Sequence, residues 1–95
     1  NIVTVLPEMY IYLQKRTDWI CKQLDKLSIQ YYRHPLSNIV TIKSEFIPAE
    51  IANEFGLIPD KHESPKWYKI VVMEHVTIEK VYPLIDRLKL HQDIK

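Results

Sequence analysis

The side chains able to do chemistry are few and scattered. His34, His62, His75 and His91 share no i,i+4 spacing with one another, and Cys21 is the single cysteine. The ligand set of a structural zinc site cannot be written from them, and no metal is expected. Cys21 has no histidine near it in sequence to take its proton, so it reads as a small core residue rather than a nucleophile. Glu45, Glu50, Glu54, Asp60, Glu63 and Glu74 show no acid–base pairing and read as solvated faces and caps. Gly56 is the only glycine, where an average content of about 7% would give roughly six or seven. That shortage excludes a glycine-rich phosphate loop and a dinucleotide fingerprint. Two aromatic-basic runs, Tyr31-Tyr32-Arg33 and Trp67-Tyr68-Lys69, raise RNA binding as a question. Neighbouring strand residues point to opposite faces, and the glycine-flanked aromatics of an RNA-recognition sheet are missing. Among the histidines, His34 falls at a hairpin, His62 in a loop and His91 in the tail. His75 alone sits where a strand meets a helix.

The elements that must position these groups follow from periodicity. Pro7 suits a first helical turn. From there Tyr10, Leu13, Thr17, Ile20, Leu24 and Leu27 keep a spacing of three and four, which predicts a helix over about 8–27, with Trp19 and Cys21 flanking the stripe. Asp18 and Lys22 can support it as an i,i+4 pair. A strand over 28–33, a turn at Pro35, Ser37 and Asn38, and a strand over 39–43 form an antiparallel pair. Pro48 opens a second helix carrying Ile51, Ala52 and Phe55, and Gly56 ends it as a left-handed residue. Pro59, Asp60, Ser64 and Pro65 mark a polar loop. The β-rich run 67–73 is a third strand. Thr77 offers an N-cap, and Val76 can staple against Val81. Ile78, Val81, Tyr82, Ile85 and Leu88 then share a helical face, with a kink expected at Pro83 and a frayed tail from Leu90 to Lys95. Asn1–Val5 is an edge strand or the tail of an earlier element.

The order α-β-β-α-β-α predicts an α+β fold, a small, mostly antiparallel sheet with helices on one face. Val40, Ile42, Ile70 and Val72 are the expected core residues beneath the helices. With a strand at Asn1–Val5, the ferredoxin-like order β-α-β-β-α-β also becomes available.

Ninety-five residues make a single domain, and a composition of 46% hydrophobic and 26% charged residues argues for a folded chain. The net charge of +1 offers no field for nucleic acid or a membrane surface. No apolar run reaches the roughly 20 residues that span a bilayer, and no signal peptide is visible. A lone cysteine is compatible with a reducing compartment, and a cytoplasmic location is expected. The first residue is Asn1 rather than Met, so the chain is expected to be a processed form or a piece of a longer one.

Ile70-Val71-Val72-Met73-Glu74-His75-Val76-Thr77-Ile78-Glu79-Lys80 resembles the C-terminal small domain of pyridoxal-phosphate-dependent amino acid decarboxylases. The group meant is that of the histidine, serine, tyrosine and aspartate enzymes. Its strand typically ends in Val-Met-Pro, followed by His or Asn, then Val-Thr and a helix; here Glu74 replaces the proline. Pro35-Leu36-Ser37-Asn38-Ile39-Val40 likewise resembles that family's Pro-x-x-Asn-Ile-Val hairpin. The resemblance spans about residues 8–90 and rests mostly on packing motifs.

It implies the small domain of a fold-type I enzyme, preceded by a larger domain that binds pyridoxal phosphate, in a homodimer acting on an amino acid. The family's Ser-x-His-Lys is absent, since Lys61-His62 runs in the wrong order. This chain alone is therefore expected to bind no cofactor, hold no catalytic residue and be inactive. Two residues become candidates for substrate binding. Lys69 stands where some members have an arginine facing the substrate carboxylate; its plain reading is an exposed strand lysine. His75 would line a substrate entrance beside the larger domain; its plain reading is a turn residue bonded to nearby backbone. An apolar patch that meets the partner domain is expected around Trp19, Trp67 and Phe55. The reading from another class is a free-standing α+β module that binds a small ligand or pairs with itself.

Overall fold

Helix α1 (Pro7–Lys26) forms where the three-four stripe predicts it, with Glu8 in its first turn and Lys26 in its last, both suited to the helix dipole. The computed structural model describes residues 7–94. The expected strand at Asn1–Val5 lies outside the described residues, and the ferredoxin-like alternative with it. Leu13, Thr17, Ile20, Cys21 and Leu24 are buried. Thr17 is fully enclosed because its hydroxyl donates to the Leu13 carbonyl at 2.6 Å. Tyr10, expected on the same stripe, is exposed, and its hydroxyl reaches the Leu36 carbonyl instead. The stripe meets the core only from Leu13 onward.

Strand β1 is short (Tyr31–Tyr32), against an expected 28–33. Ending α1 consumes the missing residues. Ser28 adopts φ +58, and the Ile29 amide turns back to the Leu24 carbonyl at 3.0 Å, so a serine takes the left-handed cap that glycine usually fills. β2 (Ile39–Lys43) matches expectation. A short 3-10 turn (Ser44–Phe46) leads through Pro48 into α2 (Ala49–Glu54), and Gly56 follows at φ +68. Next comes a strand the sequence reading missed, β3 (Ile58–Pro59). A proline there removes a donor, which an edge strand tolerates. β4 (Trp67–Val71) stops two residues before the expected end.

Helix α3 runs Ile78–Ile94 through Pro83 as one element, so it does not fray at Leu90. The Gln92 amide donates to the Leu27 carbonyl at 2.7 Å and ties its last turns to the end of α1. The Lys80 amide meets the Thr77 carbonyl at 3.1 Å and its hydroxyl at 3.4 Å, as the expected cap requires. Leu84, not Tyr82, shares the buried face with Val81, Ile85 and Leu88. Tyr82 is exposed and lies against Trp19, ring centroids 5.3 Å apart.

Among the described residues the fold is α+β: an open four-stranded sheet in the order β1-β2-β4-β3, every pairing antiparallel, with three α-helices. Val40, Ile42 and Val72 are completely enclosed, and Ile70 and Tyr68 nearly so. Alternation puts Ile39, Thr41, Lys43, Trp67, Lys69 and Val71 on the other face, none of them buried. Arg33 clamps the β1–β2 hairpin onto α1. Its guanidinium pairs with Asp18 and donates to Gln14 Oε1 at 2.7 Å, while its Nε donates to the Ser37 carbonyl at 2.9 Å.

Two stability outcomes follow from this packing. Ile70→Ala should cost about 2–5 kcal/mol in urea unfolding, because its side chain leaves a hole beneath the helices. Gly56→Ala meets no atom within 4 Å, so it should cost only the strain of a left-handed alanine, about 1–2 kcal/mol. Gly56→Asn should cost less, since asparagine tolerates that conformation.

Candidate functional site

Strand β3 covers only two residues of β4, pairing Ile58 with Lys69 and Pro59 with Tyr68. Beyond Lys69, the second half of β4 has no ladder partner on that side among the described residues. The gap is framed by Phe55 and Gly56 just after α2, by Val76 in the turn before α3, and by Lys80 and Leu84 in the first turns of α3. It forms a cleft of about 390 Å³ at the sheet edge, with walls that are mostly apolar.

Lys69 and His75, singled out for different reasons, both line this cleft. Lys69 comes from the open face of β4, in a cross-strand row with Tyr32, Thr41 and Ile58. It also borders a shallower hollow with Trp67 and Asp60. Asp60 accepts from the Lys66 and Trp67 amides at 3.0 and 3.3 Å. Slight desolvation pushes its carboxyl upward, but those amides outweigh it and hold the group below its usual range. Lys43 lies 5.9 Å from the Trp67 ring centre, within cation–π reach.

His75 sits on an exposed turn between β4 and α3. The turn is held from a distance. Arg16 on α1 donates to the Glu74 carbonyl at 2.7 Å and lies 3.5 Å from the carbonyls of Met73 and Val76. One guanidinium thus collects three carbonyls of the turn, which its planar fork of donors suits. Sequence reasoning missed Arg16 because its partners lie nearly sixty positions away, and nothing local marks it. It also missed Lys80, a second lysine at the cleft, which reads as one more charge on a solvated helix face.

The other candidates stay apart. His34 is exposed, with Nδ1 3.0 Å from the Pro35 carbonyl; His62 is exposed; His91 is half-buried on α3. Among the described residues no three His, Cys, Asp or Glu side chains gather to hold a metal ion. The Cys21 thiol is buried, and desolvation pushes its pKa up, only partly offset by Tyr31 and Arg33. The expected apolar patch is divided. Trp67 lies half-buried on the open face, Trp19 and Phe55 pack partly against the core, and Tyr32, Ile39, Ile58 and Met73 are large apolar residues exposed on or beside the open sheet.

The cleft does not fit pyridoxal phosphate. Two lysines line it, but among the described residues no carboxylate does, so none there can face a pyridinium nitrogen. A single glycine supplies no cradle of amides for a phosphate. Among the described residues no helix is long and apolar enough to cross a membrane.

No protein-family model matches the chain. A tryptophan decarboxylase from Clostridium sporogenes (strain ATCC 15579) is 44% identical to it over 78 residues, which is 81% of this chain and 19% of that enzyme. A stretch of that length within 95 residues necessarily takes in Lys69 and His75. The chain therefore resembles a decarboxylase segment and spans about a fifth of the relative's length.

Proposed function

We propose that this chain is the small domain of a cytoplasmic, homodimeric, pyridoxal-phosphate-dependent decarboxylase acting on an aromatic amino acid. The observation that carries the reading is the 44% identity to a tryptophan decarboxylase, sustained over most of the chain. The Val-Val-Met-x-His-Val-Thr and Pro-x-x-Asn-Ile-Val stretches support it. So does the two-sided sheet, whose open face carries exposed Tyr32, Ile39 and Ile58 beside Lys69. An exposed apolar surface of this kind suits contact with a larger domain.

The cofactor belongs to that larger domain, where it would supply the electron sink that lets the α-carboxylate leave as carbon dioxide. This chain's own contribution is positioning. Lys69 supplies a positive charge where the substrate carboxylate is held. The apolar walls of the cleft keep water from that contact, which strengthens it. His75 presents a ring nitrogen at the rim, on the turn that Arg16 holds.

The reading is tested in the longer enzyme that contains these residues. It should release carbon dioxide from tryptophan or a related aromatic amino acid. Lys69→Ala should lower turnover by the loss of a charge-assisted contact, about 1.5–3 kcal/mol. Lys69→Arg should keep more activity, since guanidinium matches a carboxylate well. Failure to release carbon dioxide from any amino acid overturns the proposal, and full activity in the alanine variant removes Lys69 from it.

The 95-residue chain alone should release none and should form no Schiff base at a single stoichiometric lysine. In sedimentation it should associate with rising concentration through its open face, and Tyr32→Ser with Ile39→Ser should weaken that association. A monomer at millimolar concentration would count against the small-domain reading.

A further inference from the structure

The lysines that line the cleft give it charge of one sign. Lys69 and Lys80 line it beside His75, and among the described residues no aspartate or glutamate does. The nearest acids in sequence, Glu74 and Glu79, are exposed and outside the lining, Glu54 is paired with Arg87, and Asp60 borders Lys69 only in the neighbouring hollow, where it accepts from the Lys66 and Trp67 amides. The remaining walls are apolar, with Phe55, Ile58, Val71 and Leu84 among them. Such a site attracts a molecule with an apolar body and a negative end. It repels the same body with a positive end, and low-dielectric walls sharpen the difference.

Decarboxylation makes that change of charge. An amino acid enters with a carboxylate and an ammonium group, and the amine leaves with the ammonium group alone. We infer that this cleft is an aryl-carboxylate site that discriminates against the corresponding aryl amine, with Lys69 and Lys80 together supplying the charge. The choice of an aryl body rests on the decarboxylase reading, whereas the preference for an anion rests on the lining alone. In the working enzyme the consequence is directional: the substrate is held by its carboxylate, and the cationic product finds no counter-charge and is released.

The test uses the chain as it stands and two probes with one indole body, indole-3-propionate and tryptamine. Amide NMR shifts are followed at Gly56, Val71 and Val76, which line the cleft. Indole-3-propionate should move them along a saturating curve, and tryptamine should bind roughly tenfold more weakly or not at all. The double substitution Lys69→Gln with Lys80→Gln should weaken carboxylate binding about tenfold and erase the preference. Glutamine keeps stem length and polarity, and an unchanged spectrum away from the cleft reports an intact fold. Lys89→Gln, elsewhere on α3, should leave binding alone. Equal binding of the two probes overturns the inference, as does carboxylate binding that survives the double substitution. So does the absence of any carboxylate binding. None of these results bears on whether the longer enzyme releases carbon dioxide, so this inference and the decarboxylase reading can fail separately.

Discussion

The register between β2 and β4 is the constraint on which the rest depends. Val40 faces Ile70 and Ile42 faces Tyr68 on the helix side, while Thr41 faces Lys69 on the other. A slip of one residue would drive Lys69 beneath the helices and put Ile70 in water. Burying an unpaired ammonium costs far more than any alternative contact there could return. The hydrophobic pattern therefore sets the register, and the register sets where the cation stands. Since β4 runs directly into the turn and α3, the same pairing brings His75 and Lys80 to the cleft.

Much of this arrangement was legible because it rests on local pattern. The stripe of α1, the alternation in β2 and β4, the left-handed Gly56 and the Thr77 cap each leave a mark within a few residues. Val40, Ile42, Ile70 and Val72 could be assigned to the core from alternation alone. The parts that escaped depend on distant partners. β3 is two residues long, includes a proline, and is a strand only because β4 lies beside it. The strand expected from residue 28 is shortened because Ser28 to Gln30 serve the end of α1. Tyr10 and Tyr82 fit the helical stripes by spacing yet remain exposed, each with a partner, Leu36 or Trp19, that periodicity does not reveal.

The candidate site divides in the same way. Lys69 came from a resemblance and His75 from its place where a strand meets a helix, and the fold brings both to one cleft. Arg16 and Lys80 carry no comparable mark. Arg16 matters through carbonyls that α1 meets only after folding. Lys80 matters because β3 ends early and leaves the cleft open toward the first turn of α3.

The sheet thus has two faces with two duties. One buries Val40, Ile42, Ile70 and Val72 and folds the chain; the other carries Lys69 among exposed apolar residues, the surface we propose to meet a larger domain. Hydroxyl-radical footprinting, comparing the 95-residue chain with the longer enzyme, tests that division most directly. The account requires Tyr32, Trp67 and Met73 to be protected in the longer enzyme, while Tyr82 on α3 reacts equally in both. Equal reactivity of the open-face residues in the two forms would contradict it.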